Sequence, residues 1–369
     1  MTPRVQKPCT PLATAGAALV LLSVLIVLLL ALPASGQTHN NAASDPFPPE
    51  LTVGVFGGNF ATGAPTLDLT VDLSGKTSRP GRISLYVPDH FQIQPSRDPG
   101  SPVGKAFLFM RNAASAATQF TLYSGPISAE PIDAAAESAA QACSPGNHTA
   151  IWLMHLRHQK QTLEIPLYLA ATTPGDPPGA GLKLELCPPA ASGATPDPSG
   201  AFASIVLSLA NLEPPATPGS YQWRAIVTPQ LTGSATLNTA AAYELRARFP
   251  VPHVLTLRGR YLPAAHAVRL TGTLRARGQP QAHALVELAQ LDRTITAHGP
   301  RFHDTTAAFA QTRRDGTYAI TVPLHATRGF LASSPPTTGT CNGPSPAPIG
   351  CRSTTTAGIE SDPITISVP

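Results

Sequence analysis

The chain has 369 residues, 42% hydrophobic and only 12% charged, with 41 Pro, 29 Gly and a formal net charge of +4. That length holds two domains, and apolar residues in short alternating runs exclude a disordered chain despite the Pro and Gly. Short runs between Pro/Gly turns predict an all-β fold class: two antiparallel β-sandwich domains after an N-terminal signal or anchor helix, with one short helix inserted in the first.

Arg4 and Lys7 precede an unbroken apolar run over residues 17–32, and Pro33-Ala34-Ser35-Gly36 follows it. A basic start, an apolar centre and small residues before a cut make a secretory signal peptide over residues 1–36, cleaved before Gln37. Counted from Leu12, the stretch is also about long enough to span a bilayer, so an uncleaved anchor is the alternative. Either way Arg4 and Lys7 hold the N-terminus inside and export the remainder. Outside the cytoplasm, functions that need ATP, a nicotinamide supply or a reducing buffer are excluded. Residues 37–50, rich in Asn, Ala and Pro, read as a flexible tether.

Residues 51–250 read as an acidic β-sandwich. Leu67, Leu69, Val71 and Leu73 alternate with polar residues, the pattern of a half-buried strand, and residues 82–87, 103–110 and 119–123 continue it. Residues 131–143 break the period: Ala-rich, with Pro131 near the start, Asp133 and Glu137 early and Pro145-Gly146 after, they predict a short helix fastened by Cys143. Strands resume at residues 150–156, 163–170, 182–186, 202–210, 221–227 and 243–249. Residues 150–156 are apolar on both faces and predict a central strand. Trp152 and Trp223, the only tryptophans, are expected in the core rather than on a carbohydrate-binding face.

A boundary at residues 250–252 coincides with a change of charge. Residues 37–244 hold 10 Lys and Arg against 15 Asp and Glu, and residues 245–369 hold 13 against 6. An acidic part is thus followed by a basic one, which points the latter towards an anionic surface. Within residues 251–369, Gly272 and Leu274 precede the turn Gly278-Gln279-Pro280. A strand follows at residues 284–288, then the turn Arg313-Arg314-Asp315-Gly316 and a strand at residues 317–322. Over residues 255–333 this series resembles the carboxypeptidase-regulatory-like and related bacterial Ig-like sandwich domains, whose strand pair and hairpin follow the same order. The resemblance implies an Ig-like sandwich and a role as spacer, stalk or attached binding module, and no activity. The stretches "CSPGNHTAIW", "LCPP" and "GSYQWRAIVTP" resemble segments of exported proteins from high-GC Gram-positive bacteria.

Of five cysteines, Cys9 precedes the apolar run; Cys143 and Cys187 fall in the acidic part, Cys341 and Cys351 in the basic one. An even count in an exported chain predicts two disulfides. Three pairings are open, and local pairing, 143–187 with 341–351, is preferred.

Several motifs imitate catalytic or ligand sites. Gly339-Thr340-Cys341-Asn342-Gly343 has the form of a hydrolase elbow, but Pro, Ser and Thr flanks supply neither its strand nor its helix. Gly100-Ser101-Pro102-Val103-Gly104-Lys105 is one residue short of a phosphate loop, with Ala106 where a metal-binding hydroxyl is needed. His155 and His158 on a strand face opposite sides and share no metal. His266, His283, His298, His303 and His325 gather in the basic part, with Asp304 beside His303, but show no ligand spacing. Asn147-His148-Thr149 fits the glycosylation triplet and is expected to stay bare in a bacterial chain. The last Lys is Lys183, so residues 255–369 cannot form a Lys–Asn isopeptide lock.

No catalytic, cofactor-binding or metal-binding residue emerges. The expectation is an exported, non-enzymatic protein that binds or spaces something at the cell envelope, without a cofactor. Its expected partner is an anionic cell-wall polymer or another envelope protein; nucleic acid is not expected, and membrane contact comes only through an uncleaved N-terminal segment. The alternatives are an extracellular hydrolase with an unrecognised site and an assembly factor that offers a β edge.

Overall fold

A computed structural model describes residues 49–56, 66–73, 80–93, 98–111, 120–188, 201–210, 212–231, 234, 236–296, 299–339, 341 and 349–369. The leader and nearly all of the tether expected at residues 37–50 lie outside them. Residues 46–369 form one compact unit. It is all-β, and among the described residues no helix is long and apolar enough to cross a membrane.

The strands are β1 (Glu50–Phe56), β2 (Thr66–Asp72), β3 (Pro80–Pro88), β4 (Gln92–Ile93), β5 (Pro102–Arg111) and β6 (Phe120–Glu130). Helix α1 (Ala134–Ala140) follows. Then come β7 (Ala150–His158), β8 (Gln161–Ala171), β9 (Ala180–Leu186), β10 (Ala201–Leu209), β11 (Leu212–Glu213), β12 (Gly219–Pro229) and β13 (Tyr243–Val251). Next are β14 (His253–Leu255), β15 (Arg258–Leu262), β16 (Ala267–Ala276), β17 (Gln279–Pro280), β18 (Leu285–Thr296) and β19 (Gly299–Gln311). The chain ends in β20 (Thr317–Pro323), β21 (Arg328–Ser334), β22 (Thr337–Gly339), β23 (Gly350–Thr356), β24 (Ile359–Glu360) and β25 (Ile364–Ile366).

Thirteen strands make one sheet in the order β1-β2-β10-β5-β6-β7-β8-β9-β3-β12-β13-β23-β22. Every pairing in it is antiparallel except β13 with β23. The sheet curls until β1 lies against β13 and β23, a near-barrel. Side chains bridge that seam: Ser353 Oγ donates to the Pro49 carbonyl at 2.7 Å, and Thr355 Oγ1 donates to the Leu51 carbonyl. The alternating residues enclose the core. Leu67, Leu69 and Val71 of β2 all point inward, and Trp152 and Trp223 are fully buried. Phe91 meets the Trp223 ring edge-on at 5.1 Å between centroids.

α1 lies over the outer face of this wall. Asp133 caps it, accepting from the Ala136 amide at 2.8 Å, which satisfies one of the free amides of the first turn. Beneath it Ala140, Cys143, Ile151 and Tyr168 form a small apolar cluster. Glu137 and His148 close the turn behind α1, with Nδ1 of His148 2.6 Å from Oε2 of Glu137. Hydrogen bonding to His148 holds the Glu137 carboxyl below its ordinary range.

The chain changes core at residues 250–255: Val251 belongs to the first core, Leu255 to a second built on Val268, Leu270, Val286, Leu288 and Phe330. Two five-stranded sheets flank this second core. β16 is central to one, with β14, β15, β17 and β20 along it; β18 and β21 are central to the other, with β19, β24 and β25. The strand at residues 337–339 and that at 350–356 lie beyond the charge boundary but join the large sheet, and Ala357 enters the first core. Gly272 lets the second core close: a Cβ there would lie 1.9 Å from the Thr256 carbonyl, which accepts the Tyr318 hydroxyl at 2.6 Å.

His253 sits between the two cores, buried, its ring edge-on to Phe249. Its Nδ1 has no hydrogen-bond partner, and burial holds its pKa down at about 4. Between its ordinary value of ~6.5 and about 4, the unfolded chain binds a proton that the folded chain refuses. Stability therefore falls as the pH drops through that window, by roughly 3 kcal/mol, and this contribution is flat above and below it. Urea unfolding of the wild type and His253→Phe at pH 7, 5.5 and 4 measures this. The variant is expected to lose less stability than the wild type; equal losses refute the assignment.

Candidate functional site: an arginine face on the second core

β15 and β16 place their basic residues on one side because their other side is taken. Val268, Leu270 and Leu274 of β16 point into the second core, so Arg269, Thr271, Thr273 and Arg275 point away from it. On β15, a Cβ at Gly259 would lie 2.5 Å from the Cδ1 of Ile366, so that side of the strand faces Ile364 and Ile366, and Arg258 and Arg260 face the other way. The register sets Arg260 directly opposite Arg269 and Arg258 opposite Thr271. On the other flank of β16, Thr321 of β20 is opposite Arg269. Directly opposed residues hold their Cβ atoms roughly 5 Å apart, and like charges there are unfavourable.

Among the described residues no carboxylate lies within ion-pair distance of Arg258, Arg260, Arg269 or Arg275. All four are exposed. Arg275 Nη1 donates to the Gly278 carbonyl at 3.1 Å. The face continues at one end into the exposed Arg313 and Arg314 of the β19–β20 turn. There Asp315, held by hydrogen bonds from Thr317, keeps its carboxyl below the ordinary range. At the other end His266 and His325 stack with ring centroids 6.2 Å apart. The result is a row of forked donors beside threonine hydroxyls, suited to phosphate or carboxylate oxygens.

Cys143 and Cys187 are bonded, as are Cys341 and Cys351. Cys341 therefore offers no free thiol to the elbow-like segment, of which residues 340, 342 and 343 lie outside the described residues. The Gly100–Lys105 segment is a turn entering β5. His155 contacts Ser128 Oγ at 2.8 Å and Glu164 at 3.4 Å, while His158 Nδ1 meets the Leu122 carbonyl at 3.0 Å. Among the described residues no three His, Cys, Asp or Glu gather to hold a metal. His298 and the side chains of His303 and Asp304 lie outside them.

A groove of about 230 Å³ runs between the β1–β2 edge and residues 333–336 and 358–360. Its walls carry Asp68, Glu360 and the hydroxyls of Thr52, Thr70, Ser333 and Ser334. Burial raises the Asp68 carboxyl, against a 2.6 Å hydrogen bond from Ser208 Oγ that lowers it. This groove brings together carboxylates and hydroxyls from separate segments of the chain.

Sequence reasoning missed a buried polar lattice on the outer face of β3, β9, β12 and β13. Glu185 accepts from Ser84 Oγ at 2.7 Å and Ser144 Oγ at 2.5 Å, with Lys183 Nζ 3.6 Å away. Burial pushes the Asp176 carboxyl up, but hydrogen bonds from Thr173 and Tyr86 and the charge of Lys183 outweigh it and leave it lowered. The Tyr86 hydroxyl, buried beside that anion, is pushed far up. Next to it Arg224 and Arg246 grip Glu244 at 2.9 and 2.8 Å.

The chain matches no protein-family model, and no curated protein matches it.

Proposed function

We propose that this is an exported, non-enzymatic protein of the cell envelope that holds an anionic wall polymer on its arginine face. The observation that carries the reading is the opposed Arg260–Arg269 pair: two like charges set opposite each other, with no carboxylate among the described residues in ion-pair distance of either. A fold does not keep such a pair for stability, whereas a polyanion supplies the missing counter-charge. The two disulfides accord with an oxidising compartment, and the basic leader accords with export. The second core, with sheets on two sides and the hairpin order noted in the sequence, supports an Ig-like sandwich that presents this face as an attached module. The lattice and the near-barrel belong to the same compact unit as this face.

The test is retention of the protein on purified cell wall across a salt series. Wild-type protein is expected to bind at low salt and release as salt rises. Arg258→Gln, Arg260→Gln and Arg269→Gln together should weaken low-salt binding by about tenfold or more, since each exposed contact contributes up to ~1 kcal/mol. Equal retention of the triple variant, or none by wild type at low salt, ends the reading.

A further inference from the structure

A second face of the molecule breaks the rule that outward strand positions are polar. On β5 the residues pointing away from the core are Lys105, Phe107, Phe109 and Arg111, because Ala106, Leu108 and Met110 between them are buried. β6 adds Leu122, opposite Phe109, and Phe120, opposite Arg111. Phe120 is 47% exposed and Leu122 42%. On the other side of β5, Val206 of β10 stands opposite Phe107. Phe107, Phe109 and Val206 are half-buried, so five apolar side chains adjoin across three strands, with the exposed Lys105 at one end of the central one and the half-buried Arg111 at the other. Contiguous exposed apolar surface on a folded protein marks an interaction site.

We infer that this face rests on an anionic lipid surface, with the aromatic and Leu side chains in the headgroup boundary and Lys105 and Arg111 on the lipid charges. Two observations favour lipid over protein. The cations bracket the apolar row within the acidic part of the chain, and basic residues beside inserted apolar ones are what an anionic leaflet attracts. An apolar run left uncleaved would also keep the face within reach of a bilayer. The apolar run ends at Leu32, the described body begins at residue 49, and the stretch between spans up to ~55 Å when extended. From β1 to β5 is three strands and to β6 four, about 14 to 19 Å around the sheet. The inference rests on the export reading for the side of the membrane concerned, and it uses a face made of different strands from the arginine face.

The test uses the chain from Gln37 to Pro369, which lacks the apolar run and retains the compact unit with both cores. Co-sedimentation with phosphatidylglycerol vesicles is expected, with weak binding to phosphatidylcholine vesicles. Phe120→Ser with Leu122→Ser, at exposed positions, should lower that binding about tenfold, and so should Lys105→Gln with Arg111→Gln. Hydrogen exchange on the wild type gives a readout independent of the variants: vesicles should protect residues 105–111 and 120–123. No binding to phosphatidylglycerol vesicles, or no protection there, overturns the inference. So does a concentration-dependent dimer abolished by Phe120→Ser with Leu122→Ser, because the face then belongs to a second copy. If Arg258→Gln, Arg260→Gln and Arg269→Gln abolish vesicle binding instead, lipid is held by the arginine face and this inference fails. If that variant loses only cell-wall retention, the two faces act separately.

Discussion

Replacing Cys143 and Cys187 by Ser should lower the unfolding free energy by about 4 kcal/mol. The two residues are 44 apart in sequence, and an open loop of that length gains much conformational freedom on unfolding. The native side adds to the effect. Cys143 follows α1, and its neighbour Ser144 donates the 2.5 Å hydrogen bond to the buried Glu185. Without the bridge, α1 is held by its cap, the remainder of the small cluster under it, the Glu137–His148 contact and the hydrogen bonds of Gln141 and Ser144. The measurement is the urea midpoint of Cys143→Ser with Cys187→Ser beside that of wild type. A difference under 1 kcal/mol would mean that the lattice alone holds this side of the wall. The Cys341–Cys351 loop spans only 10 residues, so its removal should cost less.

Glu244→Ala should cost roughly 3–5 kcal/mol, because it removes a buried carboxylate that two guanidinium groups hold. Glu244 is fully buried and Arg246 only 3% exposed, so water does not take over the lost contact. Arg224, at 14% side-chain exposure, is somewhat better placed to reach solvent. The penalty comes from breaking a buried ionic cluster on one side only rather than from the intrinsic worth of the pair. Replacing all three residues together (Glu244→Leu, Arg224→Met, Arg246→Met) should therefore recover most of the loss. Thermal melts of the single and triple variants decide. A triple variant as unstable as Glu244→Ala would show that the ionic geometry itself holds β12 to β13.

Much of this body is legible from alternation alone. Leu67, Leu69 and Val71 point inward as their spacing requires, and Trp152 and Trp223 are buried where their apolar neighbours place them. The helix is legible from its cap and its Ala-rich run. Its ordered turns are shorter than residues 131–143, because Pro131 and Ile132 precede the cap and Cys143 already belongs to the turn. The turn before β20 has Gly316 at φ 77, in the left-handed region that Asp-Gly sequences favour.

What alternation cannot tell is whether the polar face of a strand is wet. Residues 182–186 and 243–249 both read as strands. Lys183, Glu185, Glu244 and Arg246 on them are buried, with Ser144 bonded to Glu185 and Asp176 beside Lys183. Nor does a run of Ser and Thr announce a strand facing a core. Ser353 and Thr355 do so because their hydroxyls find the carbonyls of β1. The arginine face is half legible. The charge split announces a basic region, but only the register of β15 on β16 shows which two arginines meet.

The seam between β1 and β23 joins residues 304 apart in sequence. A chain delivered N-terminus first therefore cannot complete its cylindrical wall until almost all of it has emerged, and contacts of such range form slowly. Until then β1 and β13 face a gap where the returning strand belongs. Late closure of this kind leaves the wall an open sheet through most of synthesis, and the cylinder is sealed by the last of its strands to be made.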